Sequence, residues 1–100
     1  MPTFGSKWVG LAVNDATPDV SGGEIFYTQN TAATDITDFD GGVEGKRILI
    51  LVMDANTDFF NSDTVLRLLG GTDWDTPNIY DTIEFIFRAG VWYEVHRQVN

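Results

Sequence analysis

Asp73-Trp74-Asp75 sets an indole between two carboxylates, and Tyr80 and Trp92 follow it among polar neighbours. Sugars stack their apolar faces on such rings, while nearby carboxylates accept hydroxyl hydrogens. Trp74, Asp73, Asp75, Tyr80 and Trp92 are therefore the candidate ligand-binding residues. The competing reading makes Trp92 and Tyr80 structural and the two aspartates loop solvation. Paired carboxylates also hydrolyse glycosides when held at a fixed separation across a cleft. With 15 acidic residues, some pair meets any such distance by chance. Nucleophilic catalysis needs a base beside a Ser, Thr or Cys. His96 is the only histidine, cysteine is absent, and no Gly-x-Ser-x-Gly elbow occurs. The chain is expected not to be an enzyme.

Oxygen ligands alternate through Asp54-Ala55-Asn56-Thr57-Asp58. An EF-hand loop also requires a Gly at its sixth position and a Glu at its twelfth. Phe59 and Val65 stand there instead. No metal is expected; a shallow calcium site shared by several loops is the surviving variant. Gly41-Gly42 and Gly70-Gly71 lie between strand-like segments, without the Gly-Lys-Ser/Thr of a phosphate loop. They read as turns, and no cofactor is expected.

The elements that must position these residues are strands. The chain has 100 residues, enough for one domain, and is 43% hydrophobic and 13% aromatic. Branched and aromatic residues dominate, as a pleated, half-buried surface demands. The formal net charge of −9 repels polyanions. Nucleic acid and anionic membrane surfaces are therefore not expected as partners. The longest apolar run, Ile48 to Met53, is far short of the roughly 20 residues needed to span a bilayer. No charged segment leading into an apolar run follows Met1, so no signal peptide is expected.

Residues 1–23 are expected to hold a short strand within Lys7 to Val13 and then a linker, Asn14 to Gly23, rich in turn residues. Residues 24–100 form the body. Strands are expected over 24–29, 35–39, 46–53, 57–60, 64–69, 82–88 and 91–98. The segments 57–60 and 64–69 would pair around Asn61-Ser62-Asp63. Short strands separated by Gly, Asp and Asn turns predict an all-β fold. The expected architecture is a small antiparallel β-sandwich, jelly-roll-like, of about 7–8 strands.

Two segments carry more detail. A three-residue loop, Arg88-Ala89-Gly90, would place Phe87 opposite Val91, Phe85 opposite Tyr93 and Ile83 opposite Val95. On the other side Glu84 would face Glu94. The segment Lys46 to Met53 is apolar at both parities: Ile48, Ile50 and Val52 on one face, Leu49, Leu51 and Met53 on the other. One face of a strand in a small antiparallel sandwich ordinarily meets water. A neighbouring subunit would cover the surplus, with Ile48, Leu49, Ile50, Leu51, Leu66 and Leu68 as interface candidates.

The strings ITDFDGGVEGKRILIL (36–51), Asp54-Ala55-Asn56-Thr57, LRLLGG (66–71) and GVWYEV (90–95) share a pattern. It resembles a small C-terminal module of bacteriophage tailspike, tail-fibre and appendage proteins, over about two thirds of the chain from Thr34 onward. Lys46-Arg47 and Asp58-Phe59-Phe60 depart from that pattern. The resemblance implies a homotrimeric β-sandwich that caps a fibre in the virion and, in some members, touches host-surface glycan. It implies no catalytic residues. A carbohydrate-binding module with an aromatic-lined surface is the alternative. Substituting Asp at Ile48 or at Leu49 tests which face of that strand assembles: the assembling face is expected to give a folded monomer in light scattering.

Overall fold

A computed structural model describes residues 7–75 and 77–100. It contains eight strands: β1 (Trp8–Gly10), β2 (Ile25–Tyr27), β3 (Thr34–Ile36), β4 (Arg47–Leu51), β5 (Thr57–Phe59), β6 (Leu66–Arg67), β7 (Thr82–Arg88) and β8 (Val91–Gln98). Six of them form one sheet in the order β1-β2-β4-β7-β8-β6, and β3 pairs with β5 in a second, smaller one. The all-β class stands, with a core between the two layers. Phe26, Ile48, Ile50, Ile83, Phe85 and Trp92 supply the larger sheet's side of that core. Ile36, Phe39 and Phe59 close it from the other side.

Strand direction departs from the expected antiparallel pattern. Only β4–β7 and β7–β8 are antiparallel. The pairs β1–β2, β2–β4, β3–β5 and β6–β8 are parallel. Parallel neighbours need a crossover of roughly a dozen residues or more. Segments 11–24 and 28–46 supply the crossovers for β1–β2–β4. Asn14 to Gly23 is therefore not a free linker but part of the first crossover. Val20 is wholly buried, its N–H donates to the Asp40 carbonyl (2.8 Å), and Thr37 N–H donates to Ala16 (2.9 Å). Segments 57–60 and 64–69 do not pair with each other either. Instead β5 lies beside β3, and β6 lies beside β8.

The closing hairpin turns on two residues, Ala89 and Gly90, rather than on the expected three. Arg88 faces Val91, Phe87 faces Trp92 and Phe85 faces Glu94, with a register shift between Glu84 and Phe85. Ala89 (φ 52°) and Gly90 (φ 83°) both lie in the left-handed region that a two-residue hairpin turn requires. The Ala89 N–H donates to the Glu44 carboxylate at 2.9 Å, which helps hold this non-glycine residue there. The register sends Trp92 inward with Phe85 and Phe87. It also separates the two glutamates that were expected to face each other. Glu84 now opposes His96 on the outer side, while Glu94 points inward beside Phe85. Each has an arginine partner: Arg47 at 3.2 Å for Glu84, and Arg97 at 2.7 Å for Glu94.

Trp92 ties the layers together. Its indole N–H donates to the Phe39 carbonyl oxygen at 3.1 Å, and its backbone N–H donates to Val65 at 2.9 Å. Its ring packs against Phe87 and edge-on to Phe39, with centroids 4.8 Å and 5.7 Å away. Segment 38–45 is thereby laid over the hairpin. A Cβ on Gly42 would fall 2.6 Å from the Phe87 ring, so only glycine permits this approach. Trp92→Ala is expected to destabilise the domain by about 3–5 kcal/mol. Trp92→Phe retains a ring but strands the Phe39 carbonyl, at a cost of about 1–3 kcal/mol. Urea unfolding measures both; a Phe variant as stable as the parent would show that the indole hydrogen bond contributes nothing.

Candidate functional site

The expected ligand residues do not assemble into one site. Trp92 is in the core, fully shielded from solvent. Trp74 is half-buried and already engaged. Its ring stacks on Phe59 (5.7 Å between centroids), and the Arg97 guanidinium lies over it at 4.2 Å. Arg97 is in turn held by both oxygens of Glu94, which also accepts the Leu69 N–H (2.7 Å). This stack links β5 of the small sheet to β8 of the large one. The Asp73 carboxylate accepts the Asn61 N–H at 2.7 Å and organises the turn after β5. Asp75 is exposed. Tyr80 is 62% exposed, in a left-handed turn (φ 79°) whose backbone N–H donates to Val52. The Asn100 side chain also donates to the Tyr80 carbonyl oxygen.

The interface candidates divide by parity. Ile48, Ile50, Leu66 and Leu68 are core residues and offer no surface. Leu49 and Leu51 are half-buried on the outer face of the six-stranded sheet. Register shows what joins them there. Ile25 and Tyr27 of β2 lie beside Leu49 and Leu51, and Trp8 of β1 lies beside Ile25. Trp8 is 48% exposed and Met53 41% exposed. Trp8, Tyr27, Thr28, Gln29, Leu51 and Met53 line a groove of about 450 Å³. Gly10 makes room at its edge: a Cβ there would lie 2.6 Å from the Gln29 amide, which donates to the Leu11 carbonyl at 2.8 Å.

Trp8, Ile25 and Tyr27 were missing from the sequence-based interface. Their signal was present in Ile25-Phe26-Tyr27, apolar at successive positions as in Ile48 to Met53. It was hidden because β1 and β2 are short and parallel, so neither a hairpin nor a long alternation announced them.

Charge is distributed unevenly about this face. Of the 15 acidic residues, the strands of the six-stranded sheet hold two, Glu84 and Glu94. Glu94 points inward, and Glu84 on the outer face is paired with Arg47. The remaining acids lie in loops and in the small sheet, where Asp35 of β3 is in register with Asp58 of β5.

The Asp54 loop is a structural knot. Its carboxylate accepts the Asn30 N–H (2.8 Å), the Asn56 N–H (2.7 Å) and the Thr57 hydroxyl (2.9 Å). Asn30 in turn donates to Thr57 and accepts the Asn14 N–H, both at 2.7 Å. Partial burial raises the Asp54 carboxyl, but hydrogen bonds from Thr28, Asn56, Asn30 and Thr57 outweigh it and hold the group below its ordinary value. Asp38 is the opposite case. Burial raises its carboxyl, the Phe39 N–H partly offsets that, and nearby Asp40 raises it further. Among the described residues no three His, Asp or Glu side chains gather as a metal ion would require. No protein-family model, curated protein or solved structure matches the chain.

Two acid-linked outcomes follow from these carboxylates. A depressed Asp54 contributes stability that is present above its unfolded value of about 3.9 and is lost as pH falls through the folded value. Asp54→Asn is expected to cost about 1–3 kcal/mol at pH 7 and to flatten the loss of stability below pH ~4. Asp38 has the reverse sign: ionising it opposes folding. Asp38→Asn keeps an oxygen for the Phe39 N–H and is expected to stabilise the domain at neutral pH, with the gain vanishing below pH ~4. Urea titrations at pH 3 and pH 7 measure both; equal Asp54→Asn losses at the two pH values would contradict the Asp54 assignment.

Proposed function

We propose that the chain is a self-assembling β-sandwich module, a homotrimer, that caps a phage tail fibre or tailspike in the virion. The observation that supports assembly is the outer face of the six-stranded sheet. Its β1–β2–β4 half presents Trp8, Ile25, Tyr27, Leu49 and Leu51 side by side, with Met53 beyond the end of β4. Contiguous apolar surface of this kind, half-buried between the exposed Trp8 and Met53, marks interaction sites. Self-repulsion in a chain of net charge −9 is weakest where acids are sparse, and this face carries Glu84 already paired with Arg47. The resemblance of residues 36–51 and 90–95 to phage fibre modules supplies the stoichiometry and the setting.

Contact with a host glycan is the finer part of this proposal. Of the three aromatic residues first considered for it, Tyr80 presents the most open ring, since Trp92 is buried and Trp74 is engaged by Phe59 and Arg97. A stand-alone carbohydrate-binding module built on all three is correspondingly less favoured.

Light scattering at micromolar concentration is expected to give a trimer mass; a clean monomer would sink the proposal. Leu51→Asp is expected to give a folded monomer, because the side chain lies on the outer face. Ile48→Asp is expected to unfold the domain instead, because it buries a charge in the core. Circular dichroism run beside the scattering separates the two outcomes.

A further inference from the structure

We infer that successive copies in the ring meet through opposite sides of this outer sheet face, with Trp8 of one copy seated against Arg67 and Tyr93 of the next. This inference rests on the trimeric reading above. A closed ring of three requires each copy to offer two different patches, because ring contacts are heterologous. The strand order places β1 and β6 at opposite edges of one face. The two edges differ in chemistry.

At the β1 edge, Trp8 is 48% exposed, and all three residues of the strand are uncharged. At the β6 edge, Arg67 is exposed and stands in register with the half-buried Tyr93. Arg67 makes no ion pair among the described residues, although the chain is strongly acidic. Arg67 and Tyr93 border a cleft of about 490 Å³ completed by residues 68–71 and Glu94. Gly70 and Gly71 line it with backbone in the left-handed region (φ 76° and 68°). An indole fits such a cleft, and a guanidinium over its face adds a cation–π attraction.

An isologous pair would seat Trp8 of each copy on Arg67 of the other and close at two chains, so the ring is told from it by the number of chains that become linked. A single sheet face split in this way lets three copies surround an axis, each giving its apolar edge to one neighbour and its cationic edge to the other.

The absence of native cysteine makes a direct test available. Lys7 adjoins Trp8, and Leu69, 67% exposed, lines the cleft. The double variant Lys7→Cys/Leu69→Cys, treated with a short bis-maleimide, is expected to yield covalent trimers on a denaturing gel. Neither single variant is expected to cross-link. Linkage of Lys7→Cys alone would reveal like edges in contact and overturn the inference. A trimer by light scattering with no linkage in the double variant would overturn it too, while leaving the assembly proposal standing. A monomer by light scattering would remove both. As a second readout, Trp8→Ala and Arg67→Ala are each expected to raise the trimer dissociation concentration several-fold, with the double variant little worse than the poorer single. Fully multiplicative effects would contradict a direct contact.

Discussion

The hydrogen bond from the Trp92 indole to the Phe39 carbonyl joins the two strings that give the sequence its pattern. Phe39 precedes Gly41, Gly42, Glu44 and Gly45; Trp92 sits in the closing hairpin. Three of these neighbours bring the segments together. Gly42 admits the Phe87 ring, Glu44 receives the Ala89 N–H, and Gly45 donates to the Phe87 carbonyl at 2.9 Å. Once the loop is fixed on the hairpin, Phe39, Phe85 and Trp92 form the aromatic centre of the core. The inward placement of Trp92 also fixes the parity of β8. That parity sends Glu94 inward and Tyr93 outward. The outer surface is thus a consequence of how the core is locked.

The polar parts of the molecule serve the same architecture. Glu94, Arg97, Trp74 and Phe59 form a chain from ion pair to aromatic stack, joining β8 to β5 with satisfied charges. Asp54, Asn30 and Thr57 do comparable work where the crossovers pass. Such networks demand that every member find a partner, since an unpaired buried polar group is costly. Among the described residues, no buried side-chain nitrogen or oxygen lacks a hydrogen bond. Apart from Glu84, which Arg47 pairs on the outer face, the acids not used this way lie in loops and in the small sheet. Self-repulsion is thereby kept away from the outer sheet face.

Sequence patterning made the class and much of the strand plan legible. Residues 82–88 and 91–98 match β7 and β8 end to end. The two-sided apolarity of Ile48 to Met53 was also legible, though not which side was core. Strand direction was hidden, because alternation carries no information on whether neighbours run parallel. The hairpin register was missed for a specific reason. Pairing apolar with apolar disfavoured Phe85 opposite Glu94, yet Arg97 and the Leu69 N–H satisfy that glutamate from outside the hairpin. Trp74 looked available because Asp73 and Asp75 flank it in sequence; the groups that cover it, Phe59 and Arg97, are remote in the chain.

The central claim is that the outer face of β1, β2 and β4 is covered by another copy of the chain. Hydroxyl-radical footprinting across a dilution series tests it directly, since Met53 and Trp8 line that face and are both reactive and exposed in the single chain. The account predicts that both become protected as concentration rises, while exposed Phe60, remote from this face, stays equally labelled. Labelling of Met53 and Trp8 that does not change with concentration, in a sample whose mass shows it to be assembled, would contradict it.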